Sequence, residues 1–83
     1  MKQFKHWIKE WETDINNSTN KKEAFISFWK RFERDYNPEF LSYLEFNPET
    51  KIITKSYWID EFNIVVGISR NANTSEVEFF ITE

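Results

Sequence analysis

The sequence predicts an α+β domain in which two N-terminal antiparallel helices pack on one face of a four-stranded antiparallel β-meander. Apolar residues recur at helical spacing through the first 36 positions, and this spacing changes to alternation after Asn37 and Pro38. Three polar turn segments then divide the second half into short strands. We expect this ααββββ arrangement to occupy residues 1–83 as a single domain, because half of the chain is too short to form its own core.

The first predicted helix covers residues 3–15. Its apolar residues are three or four positions apart, which places them together on one helical face. A polar segment at 16–20 follows, and its Asn, Ser and Thr residues favour a turn over a further helical turn. The apolar face consists of Phe4, Trp7, Ile8, Trp11 and Ile15.

The second predicted helix covers residues 21–36. Asn20 is a favourable N-cap, and Glu23 at the third helical position is the expected capping-box partner. Pro38 disfavours the α conformation at Asn37 and ends the helix there. The apolar stripe matches that of the first helix, so the two are expected to form an antiparallel hairpin that covers a sheet. This stripe consists of Phe25, Phe28, Trp29, Phe32 and Tyr36.

Four short strands are predicted after residue 38, because alternating apolar positions are separated by turn residues there. Turns are expected at 47–50, 60–61 and 71–74, where Asn, Asp, Glu, Thr and Pro are concentrated. These turns join each strand to the next along the chain, which is the connectivity of a meander. The predicted strands cover about residues 40–46, 51–59, 62–70 and 76–82.

If each hairpin is paired symmetrically about its predicted turn, the hairpins all give the same apolar side of the sheet. They place Ile59 opposite Phe62 in the second hairpin and Ile68 opposite Val77 in the third. Residues that face each other share one side, so both hairpins present the same apolar face to the helices. The first hairpin is expected to add Phe40, Leu44 and Phe46 to this covered face, with Ser42 opposite Lys55 at its margin.

The composition provides few groups for catalysis or metal binding. The chain has no Cys and a single His, His6, which excludes Cys-based zinc sites, and no cofactor or metal is expected. His6 and Glu10 are four positions apart and are interpreted as a surface salt bridge. No Gly-rich phosphate loop or nucleophile motif is found, and so small a sheet offers no deep cleft for paired carboxylates. We therefore predict that the chain is not an enzyme.

The charges are unevenly distributed along the chain. Residues 1–36 contain eight Lys or Arg and six Asp or Glu, a net charge of +2, whereas residues 37–83 contain three and eight, a net charge of −5. An acidic second half disfavours nucleic-acid binding, which depends on basic side chains, and it suits a basic protein partner. No apolar run approaches the roughly 20 residues of a membrane span, and no signal-like N-terminus is found, so we expect a cytoplasmic protein.

The sheet face opposite the helices, the second face, carries larger apolar side chains than a solvated face requires. Gly67 is expected to leave a shallow floor between Thr54 and Glu78. Aromatic anchors among carboxylates favour protein binding, because Trp and Tyr are enriched at interface hot spots. The alternative is that these side chains only pack on one another and on the chain ends. The predicted partner-binding residues are Tyr43, Glu45, Trp58, Val65, Glu76, Glu78 and Phe80.

The leading hypothesis from the sequence is a small, acidic, stand-alone inhibitor that occupies a site on a larger basic protein, such as a nuclease or nucleic-acid-binding protein. It would act by steric occlusion or by partial nucleic-acid mimicry, as phage or mobile-element anti-defence proteins (anti-CRISPR proteins, for example) and toxin-immunity proteins do. Abundant Asn, Lys, Ile and Phe, which have AT-rich codons, favour a bacterial or phage source. A structural or regulatory homo-oligomer such as a homodimer is one alternative. A single-strand nucleic-acid binder using the open sheet face is the second.

Overall fold

Two helices followed by four strands make up residues 2–82, the part of the chain that the computed structural model describes. The strands form one antiparallel sheet in chain order, which confirms the predicted ααββββ meander. Each observed boundary lies within two residues of the predicted one. The elements are α1 (Lys2–Asn17), α2 (Lys21–Tyr36), β1 (Glu39–Asn47), β2 (Ile52–Ile59), β3 (Ile64–Asn71) and β4 (Val77–Thr82).

The ends of α2 are defined by local hydrogen bonds. The backbone N–H of Glu23 donates to the side-chain oxygen of Asn20 at 3.2 Å, which confirms Asn20 as the N-cap. The N–H of Asn20 donates to the hydroxyl of Ser18 at 3.1 Å, so Ser18 replaces Glu23 in the second half of the predicted capping box. At the other end Asn37 adopts the left-handed conformation, with φ of 47°, and its N–H donates to the carbonyl of Glu33.

The core lies between the helices and one face of the sheet, and aromatic rings fill much of it. The ring of Phe28 stacks on Phe79 with centroids 4.8 Å apart, and Phe4 contacts Phe62 at 5.4 Å. Large rings supply apolar burial that a short chain without disulfides needs. The buried apolar residues are Phe4, Ile8, Ile15, Phe28, Phe32, Tyr57, Ile59, Ile64, Val66, Ile68, Val77 and Phe79.

In the second and third hairpins each residue lies on the predicted face of the sheet, but its partner on the neighbouring strand differs by two positions from the predicted one. Ile59 pairs with Ile64 rather than with Phe62, because the turn between β2 and β3 holds four residues instead of two. Ile68 likewise pairs with Phe79. A shift of two residues leaves every side chain on the same face of a strand, so the predicted apolar face is correct for β2, β3 and β4.

The register of β1 differs from the prediction for another reason. Two irregularities interrupt its pairing with β2, between Phe40 and Ser42 and between Tyr43 and Glu45. Each adds one residue to β1, as a β-bulge does, and so reverses the face of the residues that follow. Ser42 therefore pairs with Ser56, the hydroxyl oxygens lying 3.1 Å apart, and the predicted pairing of Ser42 with Lys55 is wrong.

Candidate protein-binding surface

The strand β1 is an edge of the sheet and lies outside the cover of the helices. Eight of its nine residues are exposed. Phe40 and Phe46 lie on the predicted helix-side face, but the prediction that they and Leu44 are covered there is wrong. The helical layer is displaced towards the opposite edge, because α1 packs along β4 and α2 contacts β2 through Trp29 and Tyr57, whose rings are 5.0 Å apart.

The opposite edge, β4, is occupied by side chains of α1. The amide of Asn16 accepts from the N–H of Val77 at 2.8 Å and donates to its carbonyl at 2.9 Å, as a neighbouring strand would. Glu12 accepts from the N–H of Phe79 at 2.8 Å, and Lys9 donates to the carbonyl of Phe79 at 2.6 Å. These bonds satisfy edge groups that would otherwise be available to another chain. The two edges thus differ, with β4 sealed at Val77 and Phe79 and β1 open.

An aromatic row runs along β1 on the side of the sheet that faces the helices. It consists of Phe40, Tyr43 and Phe46, with neighbouring ring centroids 5.4 and 6.2 Å apart. The irregularities of β1 produce this row, since Tyr43 pairs with Lys55 on the helix-side face instead of lying on the second face as predicted. The Lys55 ammonium lies 5.6 Å from the centroid of the Tyr43 ring, within the range of a cation–π contact.

A groove of about 370 Å³ lies between α2 and the sheet, beside the aromatic row. The guanidinium of Arg70 lies 4.8 Å from the ring of Phe25, and its Nε has no hydrogen-bond partner among residues 2–82. Burial raises the pKa of the Tyr57 phenol above its usual value, and nearby Tyr43 adds a smaller contribution in the same direction. The groove is lined by Phe25, Trp29, Ile53, Lys55, Tyr57, Ile68, Arg70 and Ala72.

The second face carries an apolar patch centred on two predicted site residues. Trp58 pairs with Val65 across β2 and β3, and both are half-buried. The indole N–H of Trp58 donates to Asn63 at 3.3 Å. The expected shallow floor is absent at Gly67, because Gly67 pairs with Phe80 and an added Cβ there would lie 2.9 Å from the Phe80 ring. The ring of Phe80 covers the glycine and remains 41% exposed.

The predicted acidic residues are spread along the second face. Glu45 and Glu78 belong to one row across the sheet, with Thr54 and Ser69 between them. They lie on the two outer strands, so three strand spacings, about 14 Å, separate their backbones. Glu76 precedes β4 and lines a depression of about 190 Å³ together with Glu78. These carboxylates form an acidic margin on one side of the apolar patch.

The structure therefore divides the predicted site residues between two surfaces. Tyr43 lies in the aromatic row, whereas Glu45, Trp58, Val65, Glu76, Glu78 and Phe80 lie on the second face. Sequence reasoning missed the exposure of the rest of β1. One signal was present, since adjacent apolar pairs at Phe40–Leu41 and Tyr43–Leu44 break the alternation expected of a strand with one covered face.

The remaining features of residues 2–82 do not define another site. His6 and Glu10 form the predicted surface pair, with 3.3 Å between Nε2 and the carboxylate oxygen. Within this range no cluster of three or more His, Asp or Glu side chains is suited to hold a metal ion. Neither helix in the described range has the length and apolar character needed to cross a membrane.

Comparison with known proteins finds no matching family model, no matching curated protein and no matching solved structure.

Proposed function

We propose that this chain is a protein-binding domain that engages a partner polypeptide along β1. The observation that carries the proposal is the exposure of five large apolar side chains on this one strand, each 47–68% exposed. Contiguous apolar surface of this kind marks interaction sites, since its removal from water contributes about 25 cal/mol per Å². The five residues are Phe40, Leu41, Tyr43, Leu44 and Phe46.

Strand addition is the mode of binding that fits this surface. An edge strand presents alternate backbone N–H and C=O groups to solvent, and an extended polypeptide can pair with them. Side chains of α1 already occupy the edge of β4, so an added strand is received at β1. The backbone bonds would provide affinity, and the aromatic row would provide specificity for the side chains of the partner.

The charge around β1 supports a basic partner. The strand contains Glu39 and Glu45, which pair into the second face, and neither Lys nor Arg, whereas Lys55 of β2 lies beside the aromatic row on the helix-side face. The basic partner is therefore expected to contact β1 from the second-face side. Opposite charge increases the rate of encounter and disfavours other partners. A domain that covers a basic surface in this way would inhibit by steric occlusion, which is the proposed role of an anti-defence or immunity-type inhibitor of a nuclease or other nucleic-acid-binding protein.

Hydrogen exchange of the outward-facing β1 amides tests the proposal. We expect their exchange to slow by roughly tenfold when the concentration of either the chain itself or an alternating Arg/Val peptide is raised, because a paired strand protects these groups. A Leu44→Lys, Phe46→Lys variant should lose this protection. Both side chains are exposed, so its melting temperature should change little.

The control is Ile26→Lys, which introduces one lysine at an exposed apolar position on α2. Its β1 amides should be protected as in the wild type. Exchange of β1 amides at the rate of unpaired groups under both conditions would contradict the proposal.

The second face supports a second candidate function, the binding of a basic protein through Trp58, Val65 and Phe80. These apolar side chains lie on an uncovered face with Glu45 and Glu78 at its margin. The single-strand nucleic-acid alternative gains no support here, because Lys55 and Arg70 pair into the helix-side face rather than the second face.

A Trp58→Ala substitution tests this second candidate. Trp58 is half-buried, so we expect a loss in the free energy of unfolding of about 1 kcal/mol, measured by urea denaturation. Binding of a Lys-rich peptide, followed by fluorescence anisotropy of the labelled peptide, should weaken by about tenfold. Stability lost without any change in peptide binding would assign Trp58 to packing alone.

A further inference from the structure

We infer that the strand added to β1 is the β1 strand of a second copy of this chain, which gives a two-fold dimer with a continuous eight-stranded sheet. The inference rests on the strand addition proposed for β1, and it names a second copy, instead of a basic partner, as the occupant of that edge. In the dimer a basic protein would bind through the second face. A two-fold interface uses the same patch on both subunits, so the patch must be complementary to itself. Three properties of β1 meet this requirement: the spacing of its aromatic row, the position of its charges and the area it exposes.

The spacing of the aromatic row matches itself in an antiparallel arrangement. Phe40, Tyr43 and Phe46 are three residues apart, so Tyr43 lies midway between the two Phe residues. An axis at Tyr43 places Tyr43 opposite Tyr43 of the second copy and each Phe40 opposite a Phe46. In a regular strand the side chains of one face recur every two residues, so they would not stay opposite this row, whose members recur every three. The second copy carries the same irregularities, so its aromatic residues remain opposite those of the first copy along the strand.

The charges of β1 favour the same axis. With the axis at Tyr43, Glu45 faces Leu41 of the second copy and Glu39 faces Asn47, so carboxylates are diagonal neighbours and none is directly opposite another. An axis one residue earlier, at Ser42, would place Glu39 opposite Glu45 twice, and directly opposed like charges destabilise a strand pair. The two copies of Lys55 would be three strand spacings apart, about 14 Å, which is beyond the screening length at physiological salt.

The exposed apolar area of β1 is more than half of the roughly 800 Å² that each partner buries in a stable dimer. A large apolar side chain presents roughly 150–250 Å². The five residues of β1 are 47–68% exposed, so together they present on the order of 500 Å² per copy. The backbone edge and the flanking polar side chains add to this area. The total approaches the roughly 800 Å² per partner found in stable interfaces.

A Tyr43→Cys variant tests the inference directly, because the chain contains no other thiol. Facing Cβ atoms in antiparallel strands lie about 4.5–5.5 Å apart, near the separation that a disulfide requires. Mild oxidation should therefore convert the variant to a covalent dimer. The control is Glu78→Cys, an exposed position on the sealed edge strand, which should cross-link about tenfold more slowly. If Tyr43→Cys weakens association, a mixture of Phe40→Cys and Phe46→Cys chains should cross-link to each other.

Light scattering of the wild type completes the test. We expect twice the chain mass of 10.2 kDa over a concentration series, and the Leu44→Lys, Phe46→Lys variant should be monomeric. A wild-type monomer whose β1 amides are protected by the Arg/Val peptide would overturn the dimer and leave the proposed function intact. A monomer with unprotected β1 amides would overturn both. A dimer that cross-links preferentially at position 78 would place the interface elsewhere.

Discussion

A Phe28→Ala variant is expected to lose about 3–5 kcal/mol in the free energy of unfolding. Phe28 is fully buried, and its ring stacks on Phe79 at 4.8 Å and on Phe32 at 5.3 Å. It also contacts Trp7 and Trp11, so alanine would leave a cavity bounded by rings of both helices and β4. In a domain of this size, each kcal/mol shifts the melting temperature by about 4–8 °C. Urea denaturation and thermal melting monitored by circular dichroism measure the loss.

The control is Ile26→Ala, on the outward side of the same helix, where the side chain is 44% exposed. It changes helix propensity in a similar way and removes little packing, so its effect should be within about 0.5–1 kcal/mol. Equal losses for Phe28→Ala and Ile26→Ala would show that the α2 face is packed differently from the structure. Trp29, which the sequence places on the same stripe, is only half-buried, and we expect a smaller loss there.

The second-largest effect is expected for Asn16→Ala, with a loss of about 2–3 kcal/mol in the free energy of unfolding. The substitution removes both side-chain bonds to Val77 and leaves a strand N–H and a carbonyl without partners. Exchange of the Val77 amide hydrogen should accelerate by more than the global loss of stability accounts for, which separates edge opening from a general change in helix propensity. Urea denaturation gives the free energy.

The comparison variant is Asn17→Ala, one residue further along α1, where the side chain is exposed. It removes the same type of side chain from the same helical turn and should change stability by no more than about 0.5 kcal/mol. If the two variants behave alike, the α1 side chains contribute nothing to sealing β4.

Most of the fold was predictable because its signals are local or periodic. The α1 stripe from Phe4 to Ile15 identifies a helix without any knowledge of its neighbours, and the N-cap at Asn20 marks where the next helix begins. The face of the sheet on which each residue of β2, β3 and β4 lies was predictable for a related reason. The true turns differ in length from the predicted ones, yet a shift of two residues returns each side chain to its own face.

The candidate binding surface could be predicted only in part, because it depends on where the helical layer lies over the sheet. Apolar residues at Phe40 and Phe46 look like core positions in sequence, and they would be covered if the helices were centred on the sheet. The displacement of the helices is associated with Asn16, Glu12 and Lys9, which in sequence look like ordinary surface residues of a helix. Their bonds to β4 are long-range and have no periodic signature.

The position of Tyr43 could not be predicted for a different reason. A bulge arises from pairing between two strands, and the broken alternation at Leu41 and Leu44 does not by itself specify that either residue is unpaired. Trp58 and Val65 were placed correctly because they lie on regularly paired strands, where counting alternate residues is sufficient.

The hydrogen bonds between α1 and β4 also bear on how many neighbouring chains the sheet could pair with. A sheet with two open edges can bind a neighbour on each side and grow without limit, as fibrils do. With Asn16, Glu12 and Lys9 bonded to β4, β1 is the edge of the described sheet that stays open to pairing. Under the proposed strand addition, growth would stop once β1 is occupied, so the polar side chains of α1 would limit the assembly to two chains.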